Sequence, residues 1–533
     1  MGALPSSLGR WGGLCLTAML GLRLLFWGLA FPNPDEAYYW LWGQHLDWSY
    51  YDHPPWQAWS QALSTALWGR STWALRWPNL ISNGLLLLGY WRINRYLYGY
   101  RGRERFWLTL MLLGASPLFF LFLALAWPDH WLVTFSVWAG YLWVRFLDGY
   151  LADGRGATWR LYGAAFSVGA AGLCKYTAVL VPLAGLALVV RERQCWPLLR
   201  DRRLYGAGAI ALLCLSPILI WNLQHDFFSF RYYLDRSTTS TGFAIQPLQP
   251  LGFWLLSGLI LSPLLAWRLW RTWRQPPPTT ASLYGRFAGW LFGLSTGGFS
   301  LLALVAPVLY YWNILAYPLW LPLLAGAWLV RQDHVLPAKR ASWPRSLLVT
   351  QLLGLAAATL LVIHYTVMPL TAWLGTADND SAALYGWQSL ARAVQAQAAQ
   401  LSDGDQPPLW LTTDYRSAAA LAYALNDPSV MALSGRLDQF DFWYDRDALQ
   451  GRNAVLLGET WHPICPSHQA FFQQTSRPDS LTVERWGQPI QTYGLLRGTG
   501  FQAGPSDEYP LLATYPLAFS SDGEVCRSAP VAP

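Results

Sequence analysis

The chain has 533 residues, of which 53% are hydrophobic and 13% charged, a composition that excludes a soluble protein of ordinary kind. Its formal net charge of +7 would suit a nucleic-acid partner only if the basic residues shared one solvated face. They are instead spread over short loops between apolar runs, so the excess is a topology signal and nucleic acid is excluded.

Runs long enough to cross about 30 Å of hydrocarbon fall near residues 11–30, 74–93, 105–126, 130–147, 159–174, 176–190, 204–221, 250–270, 286–306, 312–330 and 345–366. The sequence thus predicts an α-helical multi-pass membrane protein of about eleven spans, two of them short. The first run reads as a retained span and not a cleaved leader. It is long, contains Arg23, and ends in Phe31-Pro32-Asn33-Pro34 without a small-residue cleavage site. Arg23 itself must either snorkel or pair inside the bundle.

Loops on one side hold 22 basic residues, while those on the other side, up to residue 366, hold four: Arg70, Lys175, Arg231 and Arg236. The positive-inside rule therefore predicts that the loop of residues 31–73, and everything after residue 366, is extracytoplasmic. The expected domains are a membrane module over 1–366 and an exported α/β domain over 367–533.

Residues 33–46 carry a helix-start signal, with Asn33 as N-cap, Pro34 at the first position and Glu36 at the capping-box position. A short interfacial helix should follow, its Tyr38, Tyr39, Trp40 and Trp42 at headgroup level. Next, Pro54-Pro55 force the preceding residues into extended geometry and present Asp52 and His53 on a stiff segment. An amphipathic segment, 56–69, leads into the second span. Further on, WPDHW places Asp129 and His130 at a tight external turn, and CKYT does the same for Lys175 and Tyr176. The loop 222–249 adds Arg231 and Arg236, and PVLYYWN at 307–313 adds aromatics.

After residue 366, helical and strand-like runs alternate, as a small α/β domain requires. Cys465 and Cys526 both fall here and are expected to form a disulfide.

The absence of a cytoplasmic domain able to bind a nucleotide means that a reaction at the external acids needs an activated group from elsewhere. A lipid-linked phosphate donor meets that need. Sugar transfer from such a donor takes a carboxylate to deprotonate the acceptor, cations for the departing phosphate and aromatic faces for the sugar. Asp35 is the candidate base, with Glu36 and Asp129 as further catalytic acids. Asp52, His53, Lys175, Tyr176 and Arg231 are candidates for substrate and phosphate binding. Each has a bland counterpart: Glu36 as a cap, Asp129 as a helix-end acid, and Lys175 in a buried ion pair. His130, His225 and His364 show no metal-ligand spacing, so no metal ligand set is assigned, although a divalent ion is left open.

The stretch PNPDEAYYWLWGQHLDWSYYDHPP, with WPDHW and CKYTAVLVP behind it, resembles the bacterial family 39 members of the GT-C glycosyltransferases. These are similar to protein O-mannosyltransferases and to the aminoarabinose transferases that modify lipid A. The resemblance implies an integral-membrane inverting glycosyltransferase that moves a single sugar from a polyprenyl-phosphate donor to an extracytoplasmic acceptor: a glycolipid such as lipid A, a glycan or a protein. It implies location in the cell inner membrane, with Asp35 as base and Asp129 as the second external acid. Where aminoarabinose transferases carry Lys before the Pro pair, this chain has His53. The rival class is a transporter or flippase of lipid-linked saccharide, which should show charged breaks near span centres in two related halves.

Overall fold

The computed structural model describes residues 8–238, 245–276, 278–333, 345–375, 378–401, 406–434, 437–443 and 446–502. Helices dominate up to residue 366: α1 (Leu8–Leu29), α2 (Pro34–Gln44), α3 (Trp56–Trp68), α4 (Thr72–Tyr98), α5 (Gly102–Gly114), α6 (Pro117–Phe122), α7 (Asp129–Asp153), α8 (Thr158–Gly172), α9 (Leu180–Arg191), α10 (Arg202–Gln224), α11 (Phe228–Thr238), α12 (Gln249–Leu261), α13 (Pro263–Arg274), α14 (Leu283–Leu302), α15 (Trp320–Asp333) and α16 (Arg345–Thr366). The chain forms two compact units, one of 1–27, 47–60 and 76–361, the other of 28–46, 61–75 and 362–533. The expected external loop 31–73 is therefore divided between them, with α2 in the second unit.

Among the described residues, three helices are long and apolar enough to cross a membrane: Arg10–Leu29, Arg202–Gln224 and Ser346–Thr366. A fourth crossing results if α12 and α13 count as one span. Two expected spans are broken. The run 250–270 bends by 109° between α12 and α13, where Ser262 adopts φ 104° ahead of Pro263. The run 105–126 divides at Ser116-Pro117 into α5 and α6. Hydropathy alone hides such breaks, because Pro and Ser interrupt hydrogen bonding without lowering the average much.

Side chains of the first unit satisfy the backbone carbonyls left open toward the end of α6. Carbonyls of Phe119 and Phe120 accept from Arg23 at 3.1 and 2.9 Å, Ala124 from the Trp27 indole at 2.9 Å, and Leu123 and Leu125 from Asn79. Arg23 thus pairs inside the bundle with helix-end carbonyls, a favourable place for a cation. Arg76, fully buried, does the same for the last turn of α1 through Phe26 and Trp27.

The second unit contains a mixed sheet of β1 (Leu409–Thr412), β2 (Met431–Ala432), β3 (Ala454–Glu459), β4 (Phe472–Thr475), β5 (Asp479–Arg485) and β6 (Gln488–Phe501), in the order β2-β1-β3-β6-β4 with β5 also on β6. β1 runs parallel to β2 and β3, and β6 is antiparallel to β3. The helix that follows α16 and a short turn, here α17 (Asn379–Ala382), precedes α18 (Trp387–Ala398), and α19 (Tyr415–Leu425) links β1 to β2. Leu409, Leu411, Leu456, Leu496 and Phe501 fill the core under the sheet. Cys465 is disulfide-bonded, and its expected partner Cys526 lies outside the described residues.

Candidate active site

In the second unit, α2 starts as its sequence predicts. The Asn33 side chain accepts the Asp35 N–H at 2.9 Å, and Glu36 Oε2 accepts the Asn33 N–H at 2.9 Å, completing a capping box. Glu36 is fully buried, so one of its oxygens is committed to fixing the helix start. That geometry fixes the start of the helix that carries Asp35, which is half-buried.

The aromatics of α2 do not line a membrane interface. Tyr38, Tyr39, Trp40 and Trp42 are all at most 5% exposed. Tyr38 packs on Tyr415 and Phe440 at 5.0 and 5.8 Å between ring centroids, and Trp40 on Tyr423 at 5.1 Å. The Gln439 N–H donates to Tyr38 Oη at 3.0 Å. An aromatic stripe reads the same whether lipid or protein covers it, and here α19 and the 438–443 segment cover it. The N-terminus of α19 also carries Arg416, bound to Asp380 at 2.7 Å. Removal from water opposes its charge, yet the negative charges of Asp35, Asp380 and Asp414, together with Tyr415, outweigh this and raise its pKa. Asp35 therefore lies in the field of a cation supplied by the C-terminal domain.

In the first unit, Asp129 at the N-terminus of α7 is 1% exposed and receives Lys175 Nζ at 3.0 and 3.2 Å. The ammonium also sits 5.2 Å from the Tyr311 ring centroid, a cation–π arrangement. Beside it, the Tyr176 hydroxyl pairs with Ser229 Oγ at 2.9 Å, and its ring meets that of Tyr233 at 4.9 Å. Tyr233 in turn donates to the Asp52 carbonyl and lies 3.2 Å from His53 Nδ1. The segment 47–60 is tied to this unit at several points: Trp221 Nε1 to Asp47 at 3.0 Å, the Trp56 N–H to the Leu173 carbonyl at 3.0 Å, and Gln57 Nε2 to the Ala126 carbonyl at 2.8 Å.

Asp129 and Lys175 thus form one group with Tyr311, Asp52, His53 and Tyr176 a second through Tyr233, and the two meet at the consecutive residues Lys175 and Tyr176. Arg231 is exposed, its guanidinium 5.8 Å from the Phe228 ring, and loop 222–249 reaches the network through Ser229 and Tyr233 instead. Tyr233, Ser229 and Tyr311 are members that the sequence reading did not single out; the alternation of aromatics in FSFRYY was the available signal. Lys175 adopts the buried pair weighed as its bland reading, with 13% of its side chain still accessible.

Residues 52–221 match the family described as dolichyl-phosphate-mannose-protein mannosyltransferase. The lipid A galacturonosyltransferase RgtD of Rhizobium johnstonii is 26% identical over 405 residues, which make up 74% of this chain and 78% of that protein. In fold the chain is similar to ArnT from Cupriavidus metallidurans in the apo state, with a TM-score of 0.59 at 15% identity over 92% of this chain and 98% of that one. The crystal structure of ArnT bound to undecaprenyl phosphate gives a TM-score of 0.57 at 16% identity with the same coverage. The architecture is that of the GT-C class, as the DHPP stretch implied. In sequence and fold the chain is thus similar to membrane glycosyltransferases of the GT-C type.

Proposed function

We propose that this protein transfers a single sugar, with inversion, from a polyprenyl-phosphate donor to an extracytoplasmic acceptor, and that the acceptor is a glycolipid of the lipid A kind. The observation that carries the reading is the Lys175–Asp129 pair beside Tyr311, Tyr176 and Tyr233. A buried cation already held by one carboxylate, next to sugar-sized aromatic faces, suits the departing phosphate of a lipid-linked sugar. Asp35 takes the proton from the acceptor hydroxyl, held by the Glu36 capping box and the field of Arg416. His53 and Tyr233 complete the phosphate site, and Asp52 orients them.

The donor class draws support from the undecaprenyl phosphate bound by ArnT, and the acceptor class from the name of RgtD. Inner-membrane placement with the C-terminal domain outside the cytoplasm follows from the basic residues counted above. Mass spectrometry of lipid A from cells with and without the gene tests the reading. A glycoform lost on deletion and restored by the gene supports it; identical lipid A, with a change confined to protein glycans, overturns the acceptor.

A further inference from the structure

β1 and β3 run parallel, and their carboxyl ends lie side by side, the location in an α/β sheet where ligands are commonly held. Beyond β1 stands Asp414, the N-cap of α19, whose Oδ2 accepts the Arg416 N–H at 2.9 Å. β3 ends at Glu459, three residues before His462. One ligand atom from each of Asp414, Glu459 and His462 lies within 4.8 Å of the others.

Hydrogen-bond accounting leaves this cluster short of donors. Glu459 Oε1 receives His462 Nδ1 at 2.7 Å, and Oε2 receives Gln491 Nε2 at 2.8 Å. His462 Nε2 stands 3.9 Å from Asp414 Oδ1, beyond hydrogen-bond reach, so no hydrogen bond closes this side of the cluster. Gln491 is 6% exposed, and its Oε1 has no partner among the described residues. Tyr493, directly opposite Glu459 on β6 and fully buried, likewise has no partner there for its hydroxyl. An acceptor-rich pocket of two carboxylates, an imidazole nitrogen and an amide oxygen calls for a cation. Arg416 is a positive group acting on the cluster, and Asp380 engages it at 2.7 Å.

We propose that Asp414, Glu459 and His462, with the Gln491 amide beside them, bind one divalent transition cation of the Zn²⁺ class. Mixed nitrogen and oxygen donors select such an ion over Mg²⁺ or Ca²⁺. Bonds of about 2.0–2.2 Å span the 3.9 Å gap between His462 Nε2 and Asp414 Oδ1, and Glu459 at the end of β3 offers the third ligand oxygen. The ion would pin the β1–α19 turn to the end of β3, and so steady the helix on which α2 rests. This inference stands independently of the sugar-transfer reading.

The test uses the full-length protein in detergent, stripped with chelator and titrated with Zn²⁺ alone against a chromophoric competitor, with metal content measured by mass spectrometry. One equivalent per chain is expected, with affinity at least tenfold weaker in His462→Gln and in Asp414→Asn and unchanged in His45→Gln. Asn preserves the N-cap of α19, so Asp414→Asn separates ligand loss from misfolding. Should the wild-type chain take up no stoichiometric Zn²⁺, His462 simply carries a proton between two acids and the proposal fails. Equal binding by wild type and both ligand variants overturns it as well.

Discussion

Lys175 Nζ lies 3.0 Å from Asp129 Oδ1 and 3.2 Å from Oδ2, with the carboxylate 1% exposed and the ammonium side chain 13% exposed. The pair is at once structural and, in the proposed mechanism, the cationic end of the donor site. Removing one partner strands a buried charge, which costs about 3–5 kcal/mol. Lys175→Met should therefore lower the melting temperature sharply and abolish transfer. Lys175→Met combined with Asp129→Leu should recover most of the stability and none of the activity. Recovery of activity in the double variant would reduce the pair to packing alone.

Tyr233 joins Asp52 and His53 to Tyr176. Loss of its hydroxyl in Tyr233→Phe removes hydrogen bonds worth about 1 kcal/mol in total. The expected outcome is a roughly fivefold rise in KM for the lipid-phosphate donor with the melting temperature little changed. An unaltered KM would detach loop 222–249 from donor binding.

Glu36 caps α2, and its replacement by Ala should cost about 1 kcal/mol of stability. Because the carboxylate acts on Asp35 through the helix start, Glu36→Ala should reduce kcat by tenfold or less, with Glu36→Gln restoring much of it, since the amide oxygen can still accept the Asn33 N–H. A complete loss of transfer in Glu36→Gln would instead give Glu36 a direct proton-transfer role.

His468 in the C-terminal domain is buried, and that burial pushes its pKa down to about 4 despite its contact with the Leu433 carbonyl. The folded ring stays neutral where the unfolded one, near 6.5, binds a proton. Stability should therefore be fully present above pH 6.5 and fall as pH drops from 6.5 toward 4, by roughly 3 kcal/mol over the window. Melting of the full chain in detergent across that range checks this. In His468→Gln the slope should flatten, and an unchanged slope would assign it to other groups.

The features that could be read from the sequence are those encoded within a few residues. The capping box of α2 follows from Asn33, Pro34 and Glu36 alone, and the alternatives for Lys175 included the acid pair that it makes. Burial of Tyr38 and Trp40 was not readable, because their cover comes from Tyr415, Tyr423 and Phe440, nearly four hundred residues away. The breaks at Ser116-Pro117 and Ser262-Pro263 vanish in any hydropathy average, because a single Ser and Pro barely lower it. Asp414 and His462 are likewise brought together only by pairing of β1 with β3.

The central claim is that the Asp35 carboxylate activates the acceptor. Its most direct test is Asp35→Asn in proteoliposomes supplied with a polyprenyl-phosphate sugar and lipid A, measured as product formed per enzyme with donor binding followed in parallel. The account predicts donor affinity within threefold of wild type and transfer reduced at least a hundredfold, on the scale of a lost general base. Transfer at the wild-type rate by a well-folded Asp35→Asn protein would contradict it.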